Sequence, residues 1–264
     1  MDSLVAVLAR RWHDRGRNEP VALVIGGGSS QIGNCVARTL AANGCQIAIH
    51  THQAISKAEE ILRQLTGKGT PAITVPADIT DENDVRQMLV TTLERFGHVE
   101  ALVNCAGMWE SAHLEDITAD DVRQHFDVNT LGTFLCCQHV GLQMVSQDHG
   151  GAIVNIGDWA VTRPYGDYAA YFPSKGAIPA LTRTFAVELA RRNPHVRVNA
   201  VLPGPVTLPA EIPEVQRRTA IAGTLVKREG KPHNVADTVL FLLQNDYITG
   251  VCLPVDGGRS IYAE

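Results

Sequence analysis

Two side chains with the spacing of a proton-transfer pair stand near the middle of the chain, Tyr171 and Lys175. Residues four positions apart on a helix lie on the same face, so the ammonium group of Lys175 is expected beside the phenol of Tyr171. A free phenol has a pKa of about 10, and a neighbouring ammonium group favours the ionised phenolate and lowers that pKa. The pair predicts proton transfer, in which Tyr171 exchanges a proton with a heteroatom of a substrate.

A glycine-rich segment, Gly26–Gly33, directly follows an apolar strand-like run and opens a helical segment. Glycines at such a turn let the backbone approach a pyrophosphate, whose charge then lies at the N-terminus of the helix. The segment therefore predicts a dinucleotide-binding site.

The end of the second strand-like run bears on which dinucleotide binds. NAD-binding chains typically place a carboxylate there to hold the ribose hydroxyls, whereas this chain has His50, Thr51, His52 and Gln53. Without a carboxylate, no negative charge in this segment repels the 2′-phosphate of NADP. The segment has no arginine or lysine to attract that phosphate either, and the nearest basic residue is Lys57. The sequence favours NADPH (NADP+) over NADH.

Short runs rich in Val and Ile alternate with helix-length segments along the chain. Strands are predicted at residues 21–26, 46–50, 72–76, 101–104, 152–156, 196–202 and 251–255, and helices at residues 31–42, 56–65, 82–96 and 177–191. Because the strands are apolar on both faces, they are typical of a buried parallel sheet. We predict a single-domain α/β fold of the doubly wound, Rossmann type, with a parallel seven-stranded sheet and helices on both faces.

Prolines refine this prediction at two places. Pro173 fits only in the first turn of a helix, so the helix that carries Tyr171 is expected to begin between residues 168 and 171, and Pro179 is expected to interrupt its hydrogen bonding. Several prolines follow the sixth strand, which predicts a substrate-covering loop around residues 203–226. Residues 1–19 are predicted as an N-terminal extension and residues 20–264 as the domain.

Composition excludes several classes of protein. The net charge is −5 and the basic residues are scattered, which argues against nucleic-acid binding. No apolar run approaches the roughly 20 residues of a membrane-spanning helix. The six cysteines have no C-x-x-C spacing, which predicts core residues in a reducing cytoplasm, and the histidines have no third ligand that would make a metal site.

From residue 20 to residue 260 the chain resembles the short-chain dehydrogenase/reductase family. The family's glycine motif corresponds to residues 26–33, and its adenine-contacting aspartate corresponds to Asp78. The N-N-A-G element of the family corresponds to residues 104–107, its structural asparagine to Asn129, and its P-G element to residues 203–204. The resemblance implies that Asn129, Tyr171 and Lys175 are catalytic. It implies these cofactor-binding residues: Gly27, Ser29, Ser30, Gln31, Ile32, Gly33, His50, Thr51, His52, Asp78, Ile79, Asn104, Ala106, Gly107, Tyr171, Lys175, Pro203, Gly204 and Val206.

One position departs from most of the family. Asp158 stands thirteen residues before Tyr171, where most members carry a serine that holds a substrate carbonyl. An ionised carboxylate repels a developing oxyanion, whereas a protonated one can donate to nitrogen.

Pteridine reductases resemble the chain at this position. They combine such an aspartate with a tyrosine at the position of Tyr168, a His-x-His run, and an aromatic residue at the position of Trp109 that stacks on the pterin. The resemblance adds Asp158 to the catalytic residues and implies Trp109, Asp158, Tyr168 and Tyr171 as substrate residues. Two arginines of that branch are replaced by Gln31 and Gln53.

These residues lead to three functional hypotheses. The first is NADPH-dependent reduction of a dihydropteridine C=N bond with a proton relay through Tyr171 and Asp158. The second is a generic carbonyl or 3-oxoacyl reductase, and the third is a nucleotide-binding sensor with weak catalysis. The family resemblance also implies a cytoplasmic homotetramer or homodimer that associates through the helices at residues 133–145 and 177–189.

Overall fold

Seven parallel strands form one sheet in the computed structural model, which describes residues 19–208 and 212–262. The strand order is β3-β2-β1-β4-β5-β6-β7. The strands are β1 (Val21–Ile25), β2 (Gln46–Thr51), β3 (Ala72–Pro76), β4 (Ala101–Asn104), β5 (Gly151–Ile156), β6 (Val196–Pro203) and β7 (Cys252–Val255). All seven were predicted, each to within one residue at either end. The order reverses between β1 and β4, so their carboxyl ends flank the crevice in which doubly wound folds bind ligands.

Helices cover both faces of this sheet, as predicted. In the described part of the chain they are α1 (Gln31–Ala42), α2 (Ile55–Thr66), α3 (Glu82–Phe96), α4 (Ala119–Phe126), α5 (Gly132–Val145), α6 (Tyr171–Ala190), α7 (Glu214–Ala222) and α8 (Pro232–Gln244). Helices α1, α2 and α8 pack on one apolar core, and helices α3, α5 and α6 pack on the other. Alternate residues of β1 enter opposite cores, Val24 the first and Leu23 the second. This explains why the strand is apolar at every position.

Helix α6 begins at Tyr171, as Pro173 predicts, and it continues through Pro179 as one helix. Its first two turns therefore carry Tyr171 and Lys175 at the carboxyl end of the sheet. Helices α5 and α6, which were predicted to form a subunit interface, expose Phe134, Leu142 and Val187. Subunit association stays a prediction.

A turn of π-helix, Asp127–Leu131, joins α4 to α5 and was not predicted. Such turns recur at functional sites because the extra residue redirects one side chain. Here the redirected region contains Asn129, which is fully buried.

The remaining predicted segments are only partly described. Residues 1–18 of the predicted extension lie outside the described residues, as do residues 209–211 of the predicted substrate loop. The rest of that loop includes the short helix α7. The six cysteines form no disulfide, and four of them are buried. No helix among the described residues has the length and apolar character that crossing a membrane requires.

Candidate active site

The glycine-rich turn leaves no room for side chains. A Cβ atom on Gly26, whose φ is +74°, would lie 2.8 Å from the backbone nitrogen of Ala106, and one on Gly33 would lie 2.6 Å from the carbonyl oxygen of Gly26. A Cβ atom on Gly27 would lie 3.0 Å from the carbonyl oxygen of Val24. The chain therefore passes close to the N-terminus of α1, as a pyrophosphate site requires.

The side chains around this turn cap or flank the N-terminus of α1. Ser30 precedes α1, and its hydroxyl accepts a hydrogen bond from the backbone nitrogen of Gly33 at 2.8 Å. Ser29 and Gln31 are exposed beside it, and Ile32 packs against the core. The residues present thus fit the phosphates of a dinucleotide through backbone N–H groups and small hydroxyls.

His50 was predicted to contact the cofactor, and the structure gives it a different role. Its Nδ1 accepts a hydrogen bond from the backbone nitrogen of Gly26, and its Nε2 contacts the carbonyl oxygen of Ala77, each at 3.0 Å. Both contacts together require the neutral ring with its proton on Nε2. The side chain is buried, and burial lowers the pKa of His50 to about 4. His50 therefore fixes the glycine turn and has no ring nitrogen left for a ligand.

Acid is expected to destabilise the fold through His50. The unfolded residue has a pKa of roughly 6.5, so its contribution to stability is complete above that pH and is lost as the pH falls towards about 4. The pKa difference corresponds to a loss of about 3 kcal/mol in the free energy of unfolding. Urea unfolding at pH 7.5, 6 and 4.5 measures this loss, with His50→Asn as the non-titrating control. An equal loss in the variant would contradict the assignment.

The ends of β2 and β3 form the predicted ribose end of the site. Thr51 is buried, and its hydroxyl has no hydrogen-bond partner among the described residues. His52 is exposed, and its Nε2 lies 3.8 Å from a carboxylate oxygen of Asp78. Asp78 also accepts hydrogen bonds from the backbone nitrogen and hydroxyl of Thr80. Ile79 is buried against Gly132.

Buried amides tie the centre of the sheet to helix α6. Nδ2 of Asn104 donates to Oδ1 of Asn155 at 2.8 Å, and Nδ2 of Asn155 donates to the hydroxyl of Thr182 at 3.1 Å. Oδ1 of Asn104 has no partner among the described residues, which suits a residue at the edge of a binding site.

At Gly107 the chain after β4 lies against Asn129 and Lys175, two of the residues predicted to be catalytic. A Cβ atom there would lie 3.1 Å from both Oδ1 of Asn129 and Nζ of Lys175. Ala106, one residue earlier, supports Gly26.

Tyr171 and Asp158 form the central contact of the site. The hydroxyl of Tyr171 donates to Oδ2 of Asp158 at 2.8 Å, and Oδ1 of Asp158 accepts from the backbone nitrogen of Ala160 at 2.7 Å. Nζ of Lys175 donates to the carbonyl oxygen of Ile156 at 3.0 Å. The structure therefore brings together the three residues that were predicted to move the proton.

Asn129 braces this centre from the π-helix turn. Its Oδ1 accepts from the backbone nitrogen of Met108, and its Nδ2 donates to the carbonyl oxygen of Met108 and to the hydroxyl of Ser174, each at 2.9 Å. Ser174 is fully buried and in turn donates to the carbonyl oxygen of Tyr171 at 2.6 Å. Asn129 thus positions the start of α6 through Ser174, whose role the sequence did not suggest.

Burial shifts all three central groups towards their neutral forms. It raises the pKa of Asp158, and burial together with the Asp158 carboxylate raises the pKa of Tyr171 well above its usual value. Burial lowers the pKa of Lys175, although Asp158 opposes that effect. The expectation that Lys175 lowers the pKa of Tyr171 is therefore wrong. The hydroxyl bonds to a carboxylate, while the ammonium group bonds to a main-chain carbonyl.

Four aromatic side chains, here called the aromatic wall, are linked by successive ring contacts: Trp109, Tyr168, Tyr165 and the buried Trp159. Trp109 and Tyr168 stack with ring centroids 5.1 Å apart and an interplanar angle of 12°. Tyr165 lies 5.2 Å from Tyr168 and 6.4 Å from Trp159. Trp109 and Tyr168 were predicted as substrate residues, whereas Tyr165 and Trp159 were missed. Three of the five tyrosines fall within eight residues, a clustering that gave a signal for this wall.

The end of β6 and the loop after it contain three predicted cofactor-binding residues, Pro203, Gly204 and Val206. The backbone nitrogen of Gly204, next to Pro203, donates to the carbonyl oxygen of Val255 at 3.0 Å. A Cβ atom on Gly204 would lie 2.5 Å from Cα of Asp256. Val206 forms an isolated parallel bridge with Gly230. Cofactor contact by these three predicted residues stays a prediction.

Comparison with known proteins agrees with this geometry. A family model described as Enoyl-(Acyl carrier protein) reductase matches residues 27–260. The 3-oxoacyl-[acyl-carrier-protein] reductase of Synechocystis sp. is 33% identical over 246 residues, which cover 92% of this chain and 97% of that protein. The chain belongs to the short-chain dehydrogenase/reductase family. As a member it is an NAD(P)-dependent oxidoreductase.

Two further comparisons extend the family relationship. Carbonyl reductase family member 4 of Xenopus tropicalis is 33% identical over 239 residues, which cover 89% of this chain and 96% of that protein. The crystal structure of acetoin dehydrogenase from Enterobacter cloacae superposes with a TM-score of 0.82 at 32% identity, covering 92% of this chain and 97% of that one. These names refer to carbonyl and 3-oxoacyl compounds, and none of them refers to a pteridine.

Proposed function

We propose that this chain uses NADPH to reduce the C=N bond of a pteridine-type heterocycle. The observation that carries the proposal is the 2.8 Å hydrogen bond between Tyr171 and Asp158, at the position where most of the family has a serine. A serine hydroxyl can donate to a carbonyl oxygen, whereas an ionised carboxylate can only accept. A site built on that carboxylate therefore suits a substrate that offers N–H groups beside its reacting bond, as aminopyrimidine rings do.

Each residue of the site has a separate role in the proposed reduction. A bound reduced nicotinamide supplies the hydride. Tyr171 holds the proton that the substrate nitrogen takes up, and Asp158 orients the hydroxyl and accepts N–H groups of the ring. Lys175, held by the carbonyl oxygen of Ile156, places a positive charge behind the pair. Trp109 and Tyr168 offer flat surfaces against which a heteroaromatic ring can stack, a contact worth roughly 1 kcal/mol.

A second candidate is reduction of a carbonyl or 3-oxoacyl compound. The comparisons favour this candidate, since the relatives' names refer to such substrates. In that case Asp158 must bind the substrate while protonated, which the raised pKa of this carboxyl supports. The first candidate is the one that an ionised Asp158 can serve, because a ketone has no donor for a carboxylate.

Following NADPH oxidation at neutral pH separates the two candidates. The substrates are a quinonoid dihydropteridine, 7,8-dihydropterin, dihydrofolate and an acetoacetyl thioester, each tested at the same concentrations. Turnover of a pteridine with kcat/KM at least tenfold above that of the thioester supports the proposal. Turnover of the thioester alone refutes it and leaves the carbonyl reductase.

The preference for NADPH is expected to depend on His52. Changing His52 to Asp places a carboxylate where a 2′-phosphate is proposed to bind, so kcat/KM for NADPH is expected to fall at least tenfold relative to that for NADH. His52→Asn, which adds no charge, is the control. A ratio of the two kcat/KM values that His52→Asp leaves unchanged would place the 2′-phosphate elsewhere.

A further inference from the structure

Two arginines near the aromatic wall have no acidic partner in the described part of the chain. Neither Arg163 nor Arg259 forms an ion pair with a carboxylate of residues 19–208 or 212–262, whereas Arg217 and Arg218 each do. Burial and the positive charge of Arg163 lower the pKa of Arg259. The protein therefore keeps two like charges close together without neutralising them.

Arg163 has a structural task that Arg259 lacks. Its guanidinium group donates to the carbonyl oxygens of Arg259, at 3.3 Å, and of Tyr262. These bonds hold the segment after β7 against the loop that carries Arg163. The guanidinium group of Arg259 lies over the ring of Trp159, 5.4 Å from its centroid. None of its hydrogens has a hydrogen-bond acceptor among the described residues, so the group is held in place with its donors unused.

The position of Arg259 connects it with the active site. Trp159 follows Asp158 directly in the chain, and it lies at the end of the aromatic wall opposite Trp109. The wall therefore runs from the predicted ring-binding residues, Trp109 and Tyr168, to the guanidinium group of Arg259. A ligand that lies along the wall has its reacting end near Tyr171 and its other end at a cation.

We propose that Arg259, braced by Arg163, binds an anionic group, carboxylate or phosphate, on the end of the substrate remote from the reacting bond. The inference rests on the proposed function for the location of the reacting ring. A guanidinium group offers paired N–H donors that match the oxygens of either anion, and Trp159 limits its motion. The substrate class is thus a flat heterocycle with an anionic substituent.

Binding of three related pterins tests this proposal without catalysis. The ligands are 6-hydroxymethylpterin, 6-carboxypterin and the phosphate ester of 6-hydroxymethylpterin, each titrated calorimetrically into the protein with saturating NADP+. The wild type is expected to bind at least one anionic pterin tenfold or more tightly than the neutral one, and the carboxylate and phosphate arms identify which anion is preferred.

Variants assign the effect to Arg259. Arg259→Gln is expected to remove the preference for the anionic pterin and to keep the affinity for 6-hydroxymethylpterin within about twofold of the wild-type value. Arg259→Lys is expected to keep part of the preference for the anionic pterin. Arg191→Gln, at an exposed arginine after α6, is the charge-matched control and is expected to keep the full preference. An anion preference that is absent in the wild type or unchanged in Arg259→Gln overturns the proposal.

Failure of the pteridine function gives a different result from failure of the anion site. If none of the three pterins binds, the proposed function fails. Reduction of 4-carboxybenzaldehyde is then compared with reduction of 4-(hydroxymethyl)benzaldehyde in the same variants. A tenfold lower KM for the acid that disappears in Arg259→Gln retains the anion site, and equal KM values overturn it.

Discussion

Replacing Tyr171 by phenylalanine is expected to lower kcat by roughly 10²- to 10⁴-fold, the usual contribution of a positioned proton donor. The variant keeps the ring that packs in the buried cluster with Phe172 and loses only the hydroxyl that donates to Asp158. Because the predicted cofactor site consists mainly of the glycine turn and the ends of β2 and β4, the Kd for NADPH is expected to change less than threefold. Steady-state kinetics and a fluorescence titration of NADPH measure the two quantities.

The same chemical change at an exposed site provides the control. Tyr247 is almost fully exposed, and Tyr247→Phe is expected to leave kcat unchanged. A Tyr171→Phe variant that keeps more than a tenth of the wild-type kcat would mean that another group supplies the proton.

Replacing Asp158 by serine is expected to change which substrate the enzyme reduces. With the pteridine, kcat/KM is expected to fall at least 100-fold, because the acceptor for ring N–H groups is lost. With a ketone or 3-oxoacyl thioester it is expected to rise roughly tenfold, because a hydroxyl donates to the developing oxyanion that a carboxylate repels. Serine also accepts a hydrogen bond from a nearby backbone N–H well, so the bond to Ala160 is expected to survive.

The variant Asp158→Asn shows whether the charge or the size of the Asp158 side chain determines the activity. The amide has the size of the carboxyl group and can still accept from Tyr171, but it cannot ionise. If the ionised acceptor matters, the asparagine variant loses activity with the pteridine as the serine variant does. If the asparagine variant keeps wild-type activity and the serine variant loses it, size rather than charge determines the effect.

The elements that position the site were predictable from local patterns. The strands are apolar on both faces because both faces carry helices, so each run of Val and Ile identified its strand. Pro173 located the start of α6 because the first turn of a helix accommodates proline without losing a hydrogen bond, whereas Pro179 lies inside the same helix. This start placed Tyr171 and Lys175 at the N-terminal end of α6, and their spacing placed them on the same face of the helix.

Roles that depend on contacts between distant parts of the chain were not predictable. The hydrogen bonds of His50 follow from Gly26 and Ala77, each more than twenty residues away, so its position in the sequence did not suggest them. The raised pKa of Tyr171 follows from burial and from a carboxylate thirteen residues earlier that the helix geometry alone does not place. Arg259 lies over Trp159 of the aromatic wall, and Arg163, almost a hundred residues earlier, donates to the backbone of its segment.

The order of the strands has a consequence for how the protein is made. Strand β1 pairs with β4 as well as with β2, and Gly26 rests on the backbone of Ala106. A ribosome therefore releases the glycine turn and its histidine support long before the strand that completes them. Until residues 101–106 emerge, one edge of β1 has unpaired backbone groups, and a growing chain with such an edge is prone to aggregate. The glycine turn therefore reaches its final geometry only after residues 101–106 have been translated.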